Sequence, residues 1–185
     1  DVTRCRLGSL KRSGIEGLEW KLELDVEYVG WKSNRDLDVH LSTGGPILQP
    51  QRWKTVPVVA IGTEYKWLNP PWLPHWDVAV RSGYTRTEDP VPDSTYSPAV
   101  ASLSSNAISI GAGFLCKEGG RFLGVMVCGG QQGSMPWPKA IGFDVAYQEW
   151  LYEPRTVTGN LNNPNVNGSY HAHIHLGTFS FRFMF

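Results

Sequence analysis

The stretch Glu19–Trp31 reads EWKLELDVEYVGW, and its alternation decides the fold class. Trp20, Leu22, Leu24 and the apolar residues that follow them are each separated by one charged side chain. A strict period of two is typical of a half-buried strand, because successive side chains of a strand point to opposite faces. One face of this strand therefore meets a core, and the other meets water.

The rest of the chain repeats this pattern between turns rich in glycine and proline. Val56–Ile61 contains Pro57, which lacks a backbone donor, so we expect an edge strand there. Gly142–Tyr152 fits a helix as well as a strand, and its β-branched and aromatic content favours the strand. The other predicted elements are strands at Leu37–Leu41, Val78–Val80 and Tyr170–Phe185, a hairpin of Ala107–Leu115 with Arg121–Cys128, and a loop at Asn160–Gly168.

Together these elements predict one all-β domain over residues 1–185. We expect a compact antiparallel sandwich or barrel with long Pro/Gly-rich loops and little helix. The first residue is Asp1 rather than methionine, so we expect the domain to be a fragment of a larger polyprotein.

The composition excludes some partners and favours others. The chain carries 17 basic and 17 acidic residues, and this neutral balance argues against a nucleic-acid partner, which requires a basic patch. The longest uncharged run, Ser94–Cys116, is too polar for a transmembrane helix, so we expect no membrane insertion. The 8 tryptophans and the charged fraction of 18% favour a homodimer, because interfaces are rich in aromatic residues and poor in charge.

The segment Trp67–Trp76 reads WLNPPWLPHW and is the strongest candidate for a binding loop. Its prolines lower the entropy cost of holding one loop shape, and its tryptophans suit stacking on sugars or anchoring a protein partner. The alternative is a stiff loop that covers the core or a subunit interface. The candidate ligand- or receptor-binding residues are Trp67, Trp72, His75, Trp76 and Tyr84.

Three alternating histidines, His171, His173 and His175, would share one face of the last predicted strand. Alternate imidazoles can hold a zinc ion, so a metal-dependent enzyme that uses these residues is an alternative function. The three positions span about 13 Å of strand, however, which is too far for one ion without a bend. We favour a solvated polar face, with a bulge near Gly177 that turns the phenylalanines beyond it toward the core. We therefore predict neither a metal nor a cofactor.

The chain has 3 cysteines. Cys116 and Cys128 flank the predicted hairpin, so a bridge between them is conceivable, but we favour three free thiols in a reducing compartment. The triplet that begins at Cys128 resembles the nucleophile region of chymotrypsin-like cysteine proteases of viruses, with His40 as the base. Those enzymes have glycine where this chain has Met126. Since no catalytic motif stands out, we expect a protein that is not an enzyme.

The segments Trp20–Trp31, Trp67–Trp76 and Phe179–Phe185 lie in a neutral, β-rich chain with aromatic and proline-rich loops. In these features the chain resembles the protruding or spike domain of a small non-enveloped virus capsid, of the astrovirus type. The resemblance covers the overall composition of the whole chain, and no single motif carries it. It implies a non-enzymatic homodimer on the virion surface that attaches to a host receptor protein or glycan. The alternative is a secreted, lectin-like carbohydrate-binding domain.

Overall fold

The structure, a computed structural model, describes residues 2–15 (backbone only), 17–36, 50–100, 102–129 and 137–185. Its main element is an antiparallel sheet of seven strands. In spatial order these are β1 (Val2–Ile15), β2 (Leu18–Val29), β3 (Val56–Leu68), β4 (Trp76–Thr87), β5 (Ser105–Cys116), β8 (Ala140–Tyr152) and β11 (His173–Met184). Two small sheets pair β6 (Arg121–Phe122) with β7 (Met126–Val127), and β9 (Arg155–Val157) with β10 (Gly168–Tyr170).

The predicted all-β, antiparallel class is confirmed, with β1 and β11 at the edges of the open main sheet. Glu19–Trp31 supplies β2, and Gly142–Tyr152 is a strand, as its composition indicates. The helical elements among the described residues are four 3₁₀ turns, at Trp31–Ser33, Asp93–Thr95, Pro98–Val100 and Pro164–Val166. Within the described part of the chain, no helix has the length and apolar character needed to cross a membrane.

The prediction of an edge strand at Val56–Ile61 is wrong. This segment begins β3, which lies between β2 and β4. Pro57 is tolerated because the β3–β4 ladder starts one residue later, at Val58 opposite Thr87. The missing backbone donor therefore falls at the end of the ladder, where it costs little.

The predicted hairpin of Ala107–Leu115 with Arg121–Cys128 is also wrong. The first segment forms β5, but its neighbour on the far side is β8 rather than the segment that follows it. The second segment folds on itself into the β6–β7 sheet, because a turn at Leu123 and Gly124, both with positive φ, reverses the chain after two residues. The predicted strand Leu37–Leu41, with His40, lies outside the described residues.

The ladder between β8 and β11 runs without interruption from His173, opposite Leu151, to Met184, opposite Ala140. The predicted bulge near Gly177 is therefore wrong. Because the register is continuous, the histidines and the phenylalanines of β11 lie on the same face.

The register divides the main sheet into two faces of different chemistry. The face that carries Trp20 of β2 is almost entirely apolar, and we call it the apolar face. The opposite face carries the charged residues that alternate with it, and we call it the charged face. The in-register members of the apolar face include Leu22, Leu24, Val26 and Tyr28 of β2, Val59, Ile61 and Tyr65 of β3, Val80 and Tyr84 of β4, Ile108 and Ile110 of β5, Val145, Tyr147 and Leu151 of β8, and Phe179, Phe181 and Phe183 of β11.

Two hydrophobic clusters stabilise opposite ends of the sheet. At one end, Phe122 of β6 packs on the apolar-face rings of Trp76, Phe143 and Phe181, so the β6–β7 sheet covers that end of the apolar face. At the other end, loop residues around Tyr96 pack beside Tyr152 of the charged face. Among the residues that the structure describes, the fold is thus sandwich-like at its two ends, and no second layer covers the centre of the main sheet.

Candidate functional site

The apolar face is the most unusual surface of the described structure. Along all six strands from β2 to β11 it exposes large hydrophobic side chains, and Ile110 near its centre is 58% exposed. The large hydrophobic side chains that this face exposes are Leu24, Tyr28, Val59, Ile61, Tyr65, Val80, Tyr84, Ile108, Ile110, Val145, Tyr147, Leu151, Phe179, Phe181 and Phe183. Soluble monomers rarely leave a contiguous apolar patch larger than a few hundred Å² in water, so this face has the character of an interface.

The five predicted binding residues do not form one cluster. Trp67, Trp76 and Tyr84 all lie on the apolar face. Tyr84 follows Trp76 by eight residues along β4, which is a distance of about 26 Å. Its hydroxyl donates to Oδ1 of Asn106 at 2.6 Å, in the half of the sheet remote from the tryptophans.

Trp72 and His75 lie in the turn between β3 and β4. Trp72 is 64% exposed, so its ring is available to a partner. His75 has a positive φ of 68°, and its backbone N–H donates to Oδ1 of Asn69 at 2.6 Å, which holds the turn in one shape. Its Nδ1 lies 3.0 Å from the carbonyl oxygen of Glu118, which joins this turn to the turn after β5.

The β6–β7 sheet lies at the same end of the molecule, and its connecting turn is exposed. Its connecting turn presents Leu123 and Val125, which are 80% and 81% exposed. The base of this hairpin is closed by a hydrogen bond from the backbone N–H of Cys128 to the carbonyl of Gly120, at 2.9 Å. We call the surface formed by Trp72, His75, Leu123 and Val125 the tip. Exposed apolar side chains on braced turns are suited to binding a partner without a large ordering cost.

Cys116 and Cys128 form a disulfide, so the favoured prediction of three free thiols is wrong for this pair. Their Cα atoms are 5.9 Å apart, because the β6–β7 sheet folds back onto the end of β5. Both residues are fully buried. Cys128 therefore has no thiol to act as a nucleophile, which removes the basis of the protease alternative.

The end opposite the tip is held by Arg155. Its guanidinium pairs with Asp89 and Asp93 and also donates to the carbonyl oxygen of Val91 at 2.7 Å. It lies 4.8 Å from the centre of the Tyr96 ring, a cation–π contact. These contacts fix the loops that carry the second hydrophobic cluster.

Tyr96 and Trp53 line a cavity of about 460 Å³ at this end. The Tyr96 hydroxyl and Nε1 of Trp53 are buried and have no hydrogen-bond partner within the described residues. Burial raises the pKa of the Tyr96 hydroxyl, because the phenolate form would lose its hydration. Such buried polar atoms lower stability, since they give up hydration without a replacement bond.

The charged face is neutralised by contacts within the sheet. Arg81 of β4 pairs with Glu64 of β3 at 2.5 Å and with Asp144 of β8 at 2.9 Å. Burial opposes the charged form of Arg81, but these two partners outweigh it and raise the pKa of the guanidinium. On the apolar face, at the end of the sheet away from these pairs, a hydrogen bond from Arg86 lowers the pKa of the Glu153 carboxyl. These shifts reflect ion pairs, and none of them poises a group for proton transfer near neutral pH.

The β8–β11 register brings Glu149 beside His173 and His175 on the apolar face. Nε2 of His173 lies 2.8 Å from Oε1 of Glu149, and the two imidazole centroids are 4.3 Å apart. His171 precedes β11 and lies outside this cluster. The structure therefore brings together two of the three histidines that the metal-site alternative named, and it adds Glu149 to them. Glu149 could not be identified from sequence, because only the strand register brings it to the histidines.

The comparisons with known proteins give no relative for this chain. No family model matches it, and neither a curated protein nor a solved structure matches.

Proposed function

We propose that this chain is a non-enzymatic attachment domain that acts as a homodimer on the surface of a small non-enveloped virus and binds a host receptor protein or glycan. The observation that carries the proposal is the wide apolar face of the main sheet. The resemblance of the composition to capsid spikes supports the same function. The alternative function is that of a secreted, lectin-like domain, which would use the same surfaces without being part of a virus particle.

The size of the apolar face supports a dimer. Six strands of twelve residues make a surface of about 29 by 40 Å, taking ~4.8 Å between strands and ~3.3 Å per residue. The whole face is therefore about 1,150 Å², and even with one end covered by the β6–β7 sheet it is on the scale of the roughly 800 Å² per partner of a stable interface. Two sheets pack well at about 10 Å and −30°, so a second copy on the same face would complete a sandwich about a twofold axis.

The charge distribution also suits a second copy of the same chain. The formal net charge is +0, so two copies do not repel each other at neutral pH. The charged residues of the apolar face include Arg86 and Glu149, which lie toward the end of the sheet away from the tip. A self-complementary interface requires such an uncharged centre, because a charge near a twofold axis meets its own copy.

The proposal assigns receptor or glycan contact to the tip. Trp72 and His75 keep the binding role predicted for them, while Trp67 and Tyr84 belong to the dimer interface and Trp76 supports the β6–β7 sheet. The disulfide behind the tip favours an oxidising environment, such as the exterior of a virion or a secreted protein.

The function is tested by the binding of the labelled full chain to a glycan array and to a panel of cultured animal cells. We expect saturable binding without turnover, and Trp72→Ala should weaken it about 30-fold, the scale of an exposed interface hot spot. Trp31→Ala is the matched control, because Trp31 is a partly exposed tryptophan at the opposite end of β2. The absence of saturable binding to any glycan or cell would overturn the attachment function. Equal losses of binding in Trp72→Ala and Trp31→Ala would show that the tip is not the attachment surface.

A further inference from the structure

We propose that Glu149, His173 and His175 form a binding site for a divalent transition-metal ion of the Zn²⁺ type. This inference concerns a site within one copy of the chain and does not rest on the attachment function. Its starting point is the strand register: His175 lies directly opposite Glu149, and His173 is the next residue on the same face of β11.

The three side chains already converge on one point. One ligand atom from each lies within 4.8 Å of the other two. Zinc bonds of about 2.0–2.2 Å in a tetrahedron place ligand atoms about 3.3 Å apart, so no separation has to shorten by more than about 1.5 Å. The His173–Glu149 pair, at 2.8 Å, is already close to that separation. Since both histidines are exposed, rotation of their side chains provides the remaining movement without disturbing a core.

The chemistry of the ligands selects the class of ion. Two imidazoles with one carboxylate suit zinc, copper, nickel and cobalt, whereas magnesium and calcium prefer sets of oxygen ligands. Imidazole and carboxylate bind metal in their deprotonated forms, so ligation by these side chains would be coupled to proton release. A fourth tetrahedral position would remain for water or for a ligand from a partner.

Tyr147 is the residue that positions the cluster. Its hydroxyl lies 2.5 Å from Nδ1 of His175, and the two rings stack with centroids 6.0 Å apart. Tyr147 lies opposite Gly177, where an added Cβ would have no other atom within 4 Å. No side chain therefore separates Tyr147 from His175. A hydrogen bond to the second ring nitrogen is the usual device that orients a metal-binding imidazole.

The test is a competition titration of the full, metal-free chain with Zn²⁺ against a chromophoric chelator, with Mg²⁺ as the comparison ion. We expect one equivalent of Zn²⁺ to bind and Mg²⁺ not to compete. His173→Ala and Glu149→Gln should each weaken Zn²⁺ binding at least 100-fold, and Tyr147→Phe about 10-fold, as for a group that orients a ligand. His171→Ala is the matched control, because His171 is exposed and two residues from His173 but outside the cluster, and it should leave the affinity unchanged.

A second measurement identifies the coordination itself. Co²⁺ in place of Zn²⁺ should give the intense visible absorption of a tetrahedral ion in the wild type and lose it in His175→Ala. Circular dichroism of each variant checks that the sheet is intact, which we expect because the exchanged side chains are exposed or half-exposed. Failure of the wild type to bind Zn²⁺ at 100-fold excess would overturn the site, and so would an equal loss of affinity in His171→Ala. Neither result would decide whether the chain dimerises or attaches to a host, which separate experiments test.

Discussion

Replacement of Ile110 by aspartate should dissociate the dimer without unfolding the chain. Ile110 lies on β5 near the middle of the apolar face, opposite Ser82 on one side and Tyr147 on the other. With 58% of its surface exposed in one copy, it contributes little to the core of that copy and much to any surface that covers it.

The expected loss follows from burial. Burying a whole isoleucine side chain is worth about 1.5–3 kcal/mol, so covering the exposed part of Ile110 is worth about 1–2 kcal/mol in each copy. A twofold interface contains the substitution twice, which doubles the loss to about 2–4 kcal/mol. Each buried carboxylate adds a desolvation cost of several kcal/mol. Together these terms exceed about 4 kcal/mol, so the dissociation constant should rise at least 10³-fold.

The assay is light scattering coupled to size exclusion, run over a hundredfold range of protein concentration. Ile174→Asp is the matched control, because Ile174 is 48% exposed and lies on β11 with its side chain on the charged face. Aspartate has the same low strand propensity at both positions, so a loss of the dimer in both variants would reflect damage to the fold and not to the interface. A dimeric Ile110→Asp, or equal dissociation of Ile110→Asp and Ile174→Asp, would refute the assignment of the dimer to the apolar face.

Three further predictions concern the two ends of the sheet. Loss of the Cys116–Cys128 bridge, whose cysteines are separated by 12 residues, should lower the free energy of unfolding by about 3 kcal/mol. Urea denaturation of a Cys116→Ala, Cys128→Ala variant measures this loss, and an unchanged midpoint would contradict it. In the same assay, Arg155→Ala should lower the free energy of unfolding by about 3–5 kcal/mol, because it leaves Asp89 and Asp93 half-buried without a cationic partner. Arg155→Met keeps the packing of the side-chain stem and should therefore lower the free energy of unfolding by less. Tyr96→Phe should be neutral or stabilising by about 1 kcal/mol, since it removes a buried hydroxyl without a partner. Burial raises the pKa of Tyr96 in the folded state, so above about pH 10 the tyrosine ionises first in the unfolded state. The stability of the wild type should therefore fall relative to that of Tyr96→Phe as the pH rises through this range. A constant difference in stability between the two proteins would count against this reasoning.

The parts of the fold that follow from sequence are those with local causes. The alternation in Glu19–Trp31 is enough to predict β2, because a strand with one wet face requires that period. The β-branched and aromatic residues of Gly142–Tyr152 likewise distinguish β8 from a helix. The prolines of Trp67–Trp76 also predict a turn, and Trp72 lies in it, 64% exposed.

The parts that fail depend on contacts between distant residues. Turn residues after Cys116 indicate a reversal, but the chain beyond them pairs with itself, and β8 takes the place beside β5. The alternation in β11 fixes which side chains share a face, yet the bulge inferred near Gly177 assumed that the phenylalanines must be buried in the same copy. Glu149 joins His173 through the register of β8 and β11, which no local pattern contains.

The most direct test of the central claim is the mass of the wild-type chain at sedimentation equilibrium. The chain has a mass of 20.6 kDa, and packing of two apolar faces predicts a species of twice that mass at micromolar concentration. The mass should be insensitive to salt, because the interface is apolar and the net charge of the chain is zero. A single species of 20.6 kDa at every concentration would contradict the account.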